Sequence, residues 1–264
     1  MVRDIMAVIT PATQFDADAL PASVIGIASE IGQHDSGMHQ HSKGQLLYAP
    51  KGCMTFVLDH SLCTLPPTKA VWIPPNLSHR AVMTNVVAYR SLYFDCCQFA
   101  APTELVMIEV NPLLQALIER MAFWPWDKAE AEMRNTVALF WEEFASAKRH
   151  FFQLPLPQDA RLQPFRTAMT QETFLAPSAS ELAERVGLSS KTVTRMFQSD
   201  TGMSYQEWRQ QWRLLKSIEL LSSGMCVTDV AYWLEFASDS AFIAFFKKQT
   251  GYPPLHFIKL GQNL

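Results

Sequence analysis

His39 and His41 stand two residues apart in "MHQHSKGQLLYAPKG" (38–52), Gln45 follows four positions later, and His79 comes after "WIPPNLS". Side chains alternate faces along an extended chain, so an unbulged strand turns His39, His41 and Gln45 the same way. Three imidazoles and an amide support three readings. They can ligate a divalent metal, although a neutral amide where a carboxylate would complete the set leaves the ion's charge uncompensated and weakens the site. They can line a pocket for a small organic ligand, since barrel mouths commonly host one. Or they are hydrogen-bonded residues of a half-buried sheet with no chemistry to do.

Strands must position these groups, and the sequence supplies them. Between residues 22 and 95 short apolar runs, "SVIGIAS", "KGQLLYAP", "MTFVLD", "AVWIP" and "VVAYRSLYFD", alternate with turn clusters. This is the pattern of an antiparallel sandwich or barrel. Trp72, Tyr89, Tyr93 and Phe94 fit either a pocket wall or ordinary sheet core. The five cysteines, Cys53, Cys63, Cys96, Cys97 and Cys226, show no C-x-x-C pairing. They read as reduced thiols, with Cys96 and Cys97 buried and inert.

Past residue 103 the period lengthens to that of a helix. "NPLLQALIERMAFW" and "AEAEMRNTVALFWEEFASAK" are amphipathic, the second with Met133, Val137, Phe140, Trp141 and Phe144 on one stripe. That stripe packs on its own barrel or pairs with a second subunit, two-fold dimers being the commonest assembly. Residues 104–150 thus form a helical bridge after a sensor-sized domain at 1–103. "FFQLPLPQDARLQP" reads as a linker over 151–165. With no signal-peptide core and no run of about 18–20 apolar residues, the expectation is a soluble cytoplasmic protein without a membrane partner.

Residues 166–264 repeat one pattern. "SASELAERVGLSSKTVTRMFQSDTG" and "VTDVAYWLEFASDSAFIAFFKKQTG" each give a short helix, a turn and a second helix ending in Thr-Gly. The helix-turn-helix units fall at about 179–199 and 227–250, offset by about 48 residues. Ser178 and Glu181 have capping-box spacing. Gly187 suits the left-handed turn and Ser189 caps the next helix. The connecting stretch "SYQEWRQQWRLLKSIELLSSG" is one helix carrying Arg209, Arg213 and Lys216 on its polar face, a stripe that either meets phosphates or is simply solvated. Charge is divided in the same sense: 161–264 hold 11 Lys and Arg against 9 Asp and Glu, net +2, which leaves 11 against 16, net −5, before them. A nucleic-acid partner for the C-terminal part is compatible with that division.

The N-terminal pattern resembles the cupin barrel, in which H-x-H, a later acid and a third His converge on a metal; here the matching positions are His39, His41, Gln45 and His79. The C-terminal "LAERVGLSSKTVTRMFQSDTGMSYQEWRQQWRL" and "VTDVAYWLEFASDSAFIAFFKKQTGYPPLHF" resemble the DNA-binding domain of AraC/XylS bacterial transcription regulators. Glu235 stands where that family usually has Gly, and "YPPLHFI" replaces its Ser-Pro-x-x-Tyr-Arg ending. One group of the family joins a cupin-like sensor bearing H-x-H, "KGQLLY", "AVWIPP" and "RSLYFD" to this domain. The resemblance therefore implies a multidomain α+β regulator: a cupin-like antiparallel barrel with a helical bridge, then an all-α domain of two helix-turn-helix units.

The resemblance further implies a double-stranded DNA operator, a small-molecule effector, RNA polymerase if the protein activates, a homodimer, and control of transporter or efflux genes. No cofactor is required. The effector would sit among His39, His41, Gln45, Trp72 and His79. Base readout falls to Ser190, Lys191, Thr192 and Arg195 in the first unit and to Ser238, Asp239, Ser240 and Ala244 in the second, with Arg209 and Lys247 as further DNA contacts. Arg195 is suited to guanine, whose O6 and N7 it can engage together. Two alternatives stay open: the metal itself as the signal, held by His39, His41, Gln45 and His79, or a metal-dependent cupin enzyme.

Overall fold

The computed structural model describes residues 7–8, 15–32, 34–67, 69–83, 87–150, 153–169, 171 and 173–262. The chain forms two compact units: 1–56, 65–152 and 258–264 in one, 57–64 and 153–257 in the other.

In the first unit, β1 (Val24–Ile31), β2 (His34–Asp35), β3 (Gly44–Lys51), β4 (Met54–Leu58), β5 (Ser61–Leu65), β6 (Lys69–Ile73), β7 (His79–Met83), β8 (Val87–Phe94) and β9 (Val106–Glu109) follow one another, β5 running mostly in the second unit. Helices α1 (Pro112–Ala122) and α2 (Glu130–Ser146) and the short β10 (Arg149–His150) follow. A six-stranded sheet runs β1-β8-β3-β6-β9-β10, its pairs antiparallel. β2 pairs with β7 in the opposing layer.

Register divides the large sheet into two faces. Leu46 lies opposite Leu92 and Trp72, and all three point toward the helices, in one core with Tyr48, Phe94 and Ile108. Met133, Val137, Phe140 and Phe144 of α2 complete that core at helical spacing. The stripe thus packs on its own sheet, and burying each of these side chains stabilises the unit by about 1.5–3 kcal/mol. α1 starts sharply because Asn111 accepts the amide of Leu114 at 2.8 Å and Pro112 suits the first turn. On the other face, Gln45 lies opposite Tyr93 and Leu47 opposite Ser91.

The second unit begins with β11 (Gln153–Pro155), which pairs with β5. A 3-10 turn at Ala160–Leu162 and α3 (Gln163–Ala168) follow, so the proline-rich stretch carries regular structure over its described residues. Next come α4 (Ala179–Arg185), α5 (Ser190–Thr201), α6 (Tyr205–Ser222), α7 (Val227–Trp233), α8 (Asp239–Thr250) and α9 (Pro254–Gln262), whose residues from Ile258 on count with the first unit. Phe165, Phe197, Tyr205 and Trp208 pack ring to ring beneath α5. Phe242, Phe246 and Phe257 do so beneath α8.

Candidate ligand cavity and nucleic-acid interface

The histidines meet, though not on one unbulged strand. His39 and His41 precede β3, and bends at Ser42 and Lys43 interrupt the alternation. A backbone bridge assembles the site instead: His39 N donates to the His79 carbonyl at 3.0 Å and His79 N returns to the His39 carbonyl at 2.9 Å. One nitrogen from each of His39, His41 and His79 falls within a 4.8 Å cluster, with His41 and His79 buried and His39 exposed.

Second bonds fix how the rings present themselves. Nδ1 of His39 lies 3.0 Å from the Gly37 carbonyl, that of His41 2.5 Å from Lys43, and that of His79 2.8 Å from Leu77. A carbonyl only accepts, so Nδ1 carries the proton in the neutral rings of His39 and His79 and Nε2 is left with its lone pair, whereas both nitrogens of His41 face acceptors, the Lys43 carbonyl and the Gln45 amide oxygen. Burial pushes the pKa of His79 down to about 4, which keeps it neutral at physiological pH. His41 Nε2 stands 3.0 Å from the Gln45 amide, whose far side meets Ser91 Oγ at 2.9 Å and Tyr93 OH at 2.8 Å. Such a set fits a divalent ion through three Nε2 atoms with the amide beside them, and carbonyl-bound Nδ1–H groups are the usual support of metal-binding histidines.

A cavity of about 440 Å³ opens onto these groups, walled by Phe15, Leu47, Met83 and Tyr89 as well. Burial raises the pKa of Tyr89 and Tyr93, so both hydroxyls stay protonated. Trp72 does not belong to this wall. It lies on the helix-facing side of β6, its indole N–H donates to the Pro102 carbonyl at 2.9 Å, and its ring covers Gly44, where a Cβ would come within 2.3 Å. Its parity with Leu46 rather than Gln45 is the reason. Phe94 shares that side, whereas Tyr89 and Tyr93 reach the cavity. Phe15 carries no periodicity signal; the neighbouring Asp18, which accepts from Ser42 N and Oγ, anchors its segment beside His41. Cys97 is exposed and Cys96 half-buried, so the pair is not the fully buried one expected.

In the second unit the two helix-turn-helix motifs repeat the bonds of their turns, of their second-helix caps and of their Thr-Gly ends. Leu188 N donates to the Ala183 carbonyl at 2.8 Å and Gly187 N to Glu184 at 3.1 Å; Phe236 N donates to Ala231 at 2.9 Å and Glu235 N to Tyr232 at 3.0 Å. Thr201 Oγ1 donates to the Phe197 carbonyl and accepts from Met203 N, just as Thr250 does with Phe246 and Tyr252. Ser189 caps α5 through Thr192 N, and Ser238 caps α8 through Ala241 N.

Outward from α5 stand Ser190, Lys191 and Arg195, exposed, with Thr192 half-buried and its amide and hydroxyl engaged by Ser189. Thr194 joins this face, one helical turn past Lys191, a position the same spacing could have supplied. On α8, Ser240, Ala244 and Lys247 are exposed, as is Ile243, an apolar residue outside the set expected from the sequence. Asp239 accepts the Thr228 hydroxyl at 2.6 Å. Arg209 is not free for phosphate: its Nε donates to the Ala176 carbonyl at 2.7 Å and its Nη2 to Glu235 at 3.0 Å. Arg213 and Lys216 are likewise engaged, with Glu235 and Glu219. The basic stripe of α6 is thus paired with acids, Glu235 from the α7–α8 turn and Glu219 from α6 itself.

Residues 21–143 match the AraC-like ligand binding domain and residues 182–259 a helix-turn-helix domain, together about three quarters of the chain. The HTH-type transcriptional regulator NimR of Escherichia coli K12 is 28% identical over 224 residues, covering 84% of this chain and 82% of its own. The virulence regulon transcriptional activator VirF of Yersinia enterocolitica is 25% identical over the same shares of the two chains. Among solved structures, ToxT from Vibrio cholerae O395 aligns over 92% of this chain and 99% of its own, at 10% identity and a TM-score of 0.38. The relatives are regulators, and the cupin-enzyme alternative falls away. No helix among the described residues is long and apolar enough to cross a membrane. An AraC-like ligand-binding domain, cupin-like in its antiparallel sheets, and an AraC-type helix-turn-helix domain on one chain make this protein a DNA-binding transcription regulator of the AraC family.

Proposed function

We propose that a small organic effector bound in the first unit's cavity alters how α5 and α8 engage an operator. The cavity carries this reading: about 440 Å³ of space, apolar at Phe15, Leu47 and Met83, with His39, His41, Gln45, His79 and Tyr93 converging as the polar groups that orient a ligand. Such an effector must bind the DNA-competent and incompetent states with different affinity. The controlled gene, a transporter or efflux gene on this reading, is the one beside the operator. A homodimer on a two-fold operator, and RNA polymerase if the protein activates, complete the proposed partners.

The test is a compound screen by thermal shift on the full chain and on Leu47→Trp, which fills the cavity from a β3 position. Compounds that stabilise the native chain and not Leu47→Trp should also change affinity for an operator selected from random duplex DNA. Equal stabilisation of both chains would place the ligand elsewhere.

A second reading has its own observation, one ring nitrogen from each of His39, His41 and His79 within 4.8 Å of the others, beside the Gln45 amide oxygen and with every Nδ1 on a backbone carbonyl. A divalent transition ion held there, beside Gln45, would be the signal or would anchor the effector. Zinc titration of the chelator-treated protein, followed by operator binding, separates the two readings: a zinc-dependent change in affinity that His79→Ala abolishes favours the ion.

A further inference from the structure

The turn between α7 and α8 holds an anomaly that the turn between α4 and α5 lacks. Gly187 takes the left-handed conformation in the first unit, at φ +65°, where glycine has no Cβ to clash. Glu235 takes the same conformation in the second, at φ +56°. An L-residue with a long side chain is disfavoured there, so something must hold it in place.

What holds it is the inner face of α6. The Glu235 carboxylate accepts from Arg209 Nη2 at 3.0 Å and lies 3.8 Å from Arg213 Nη2. Arg213 Nη2 also approaches the Glu235 carbonyl at 3.4 Å. The two guanidinium groups are largely buried, with side chains 19% and 15% exposed. Arg213 Nε is buried without a partner, and its guanidinium sits 4.9 Å from the centre of the Phe236 ring. Desolvation and the adjacent Arg209 pull the Arg213 pKa down, and Glu235 is the acid that opposes them. Two nearby positive charges therefore share one carboxylate, and it resides in the turn itself. Phe236 carries the contact onward, its ring 5.3 Å from Phe242 and 5.1 Å from Phe245 on α8.

We propose that Glu235 is a positioning residue: by clamping the α7–α8 turn to Arg209 and Arg213 it fixes α8 against α6, and so fixes the spacing at which one chain reads two DNA segments. α6 is 18 residues long, about 27 Å at 1.5 Å per residue, and it is the strut between the two units of the repeat. A glycine would satisfy the turn with no link to α6. A glutamate accepts backbone strain and gains a defined angle. The inference rests on the reading that α5 and α8 both contact DNA.

The test compares the full native chain with Glu235→Gly and Glu235→Gln. The DNA is a duplex recovered by selection from a random library, together with versions in which one base pair is added or removed between the two protected segments. Glu235→Gly suits the turn conformation and should fold, which its thermal transition will show. It should bind the selected duplex more weakly and lose about three- to fivefold of the native preference for correct spacing, the scale of an ion pair whose carboxylate is half exposed to solvent. Glu235→Gln keeps an acceptor for Arg209 and should retain part of that preference. Unchanged spacing preference in Glu235→Gly overturns the proposal, whatever its thermal transition. Footprinting separates this from failure of the underlying reading: if the native chain protects one segment rather than two, the two-helix contact is wrong and the clamp has no spacing to set.

Discussion

The two helix-turn-helix units share a backbone and differ in almost everything that faces outward. Turn bonds, serine caps and Thr-Gly ends recur in both. Yet α5 exposes Lys191 and Arg195, whereas the matching surface of α8 exposes Ser240, Ile243 and Ala244. The repeated geometry is fixed by a few local hydrogen bonds and buried rings, none of which constrains the outer side chains. A duplicated scaffold can in this way carry its exposed positive charge in the first half of one helix, at Lys191 and Arg195, and in the last turn of the other, at Lys247 and Lys248.

The cores beneath the two recognition helices differ as well, and this gives the largest expected effect. Phe197 is fully buried against Phe165, Tyr205 and Trp208, while Phe246 meets Phe242 and Phe257. Phe197→Ala should cost about 3–5 kcal/mol, since large aromatic neighbours held by several helices cannot collapse into the void. Phe246→Ala should fall at the lower end, because two aromatic rings, Phe242 and Phe257, rather than three line the space it leaves. Amide exchange of α5 and α8 under increasing urea measures each unit separately, which a single unfolding curve of a two-unit chain does not. A greater loss in Phe246→Ala would reverse the ranking of the two cores.

The outward difference is tested at the operator. Arg195→Ala should reduce affinity and relax discrimination at one base pair by about 1–3 kcal/mol, the worth of a two-pronged contact to guanine. Ala244→Ser, which adds a hydroxyl where a methyl would face thymine, should change affinity only a few-fold, about 0.5–1 kcal/mol, and only at an A·T pair. Competition binding against single-base operator variants reads both. If Ala244→Ser disturbs discrimination as strongly as Arg195→Ala, the units divide the reading equally and the contrast in chemistry has no functional counterpart.

The same contrast shows what the sequence reveals. The repeat is legible because its determinants are local: Ser178 with Glu181, Gly187, Ser189 and the two Thr-Gly ends act within a few residues of themselves. The cavity is less so. His39, His41 and His79 come together as their spacing suggests, but through a backbone bridge between segments 40 residues apart, and parity fails across the bend at Ser42 and Lys43. Trp72 illustrates the same limit, since only the register with Leu46 and Gln45 says which face of β6 it takes. Phe15 reaches the cavity from a stretch without periodicity. Arg209 looks like a phosphate ligand on a helical wheel because its acid partner, Glu235, comes from a turn 26 residues away.

The caps provide the finest comparison. Ser189 Oγ accepts Thr192 N at 3.1 Å and Ser238 Oγ accepts Ala241 N at 3.2 Å, so the two bonds are nearly equal. Their surroundings are not: α8 begins with Asp239, whose negative charge favours the helix N-terminus, and the first turn of α5 has no acid. Ser189→Ala should therefore cost about 1 kcal/mol and Ser238→Ala about half that, because Asp239 continues to offset the positive end of the helix when the serine is gone. The capped amides are the reporters: exchange should accelerate more at Thr192 in the first variant than at Ala241 in the second. Removing the acid as well, in Ser238→Ala with Asp239→Asn, should bring α8 to the level of α5. If it does not, the Asp239 charge is spent on its bond to Thr228 and the two helix starts are equivalent.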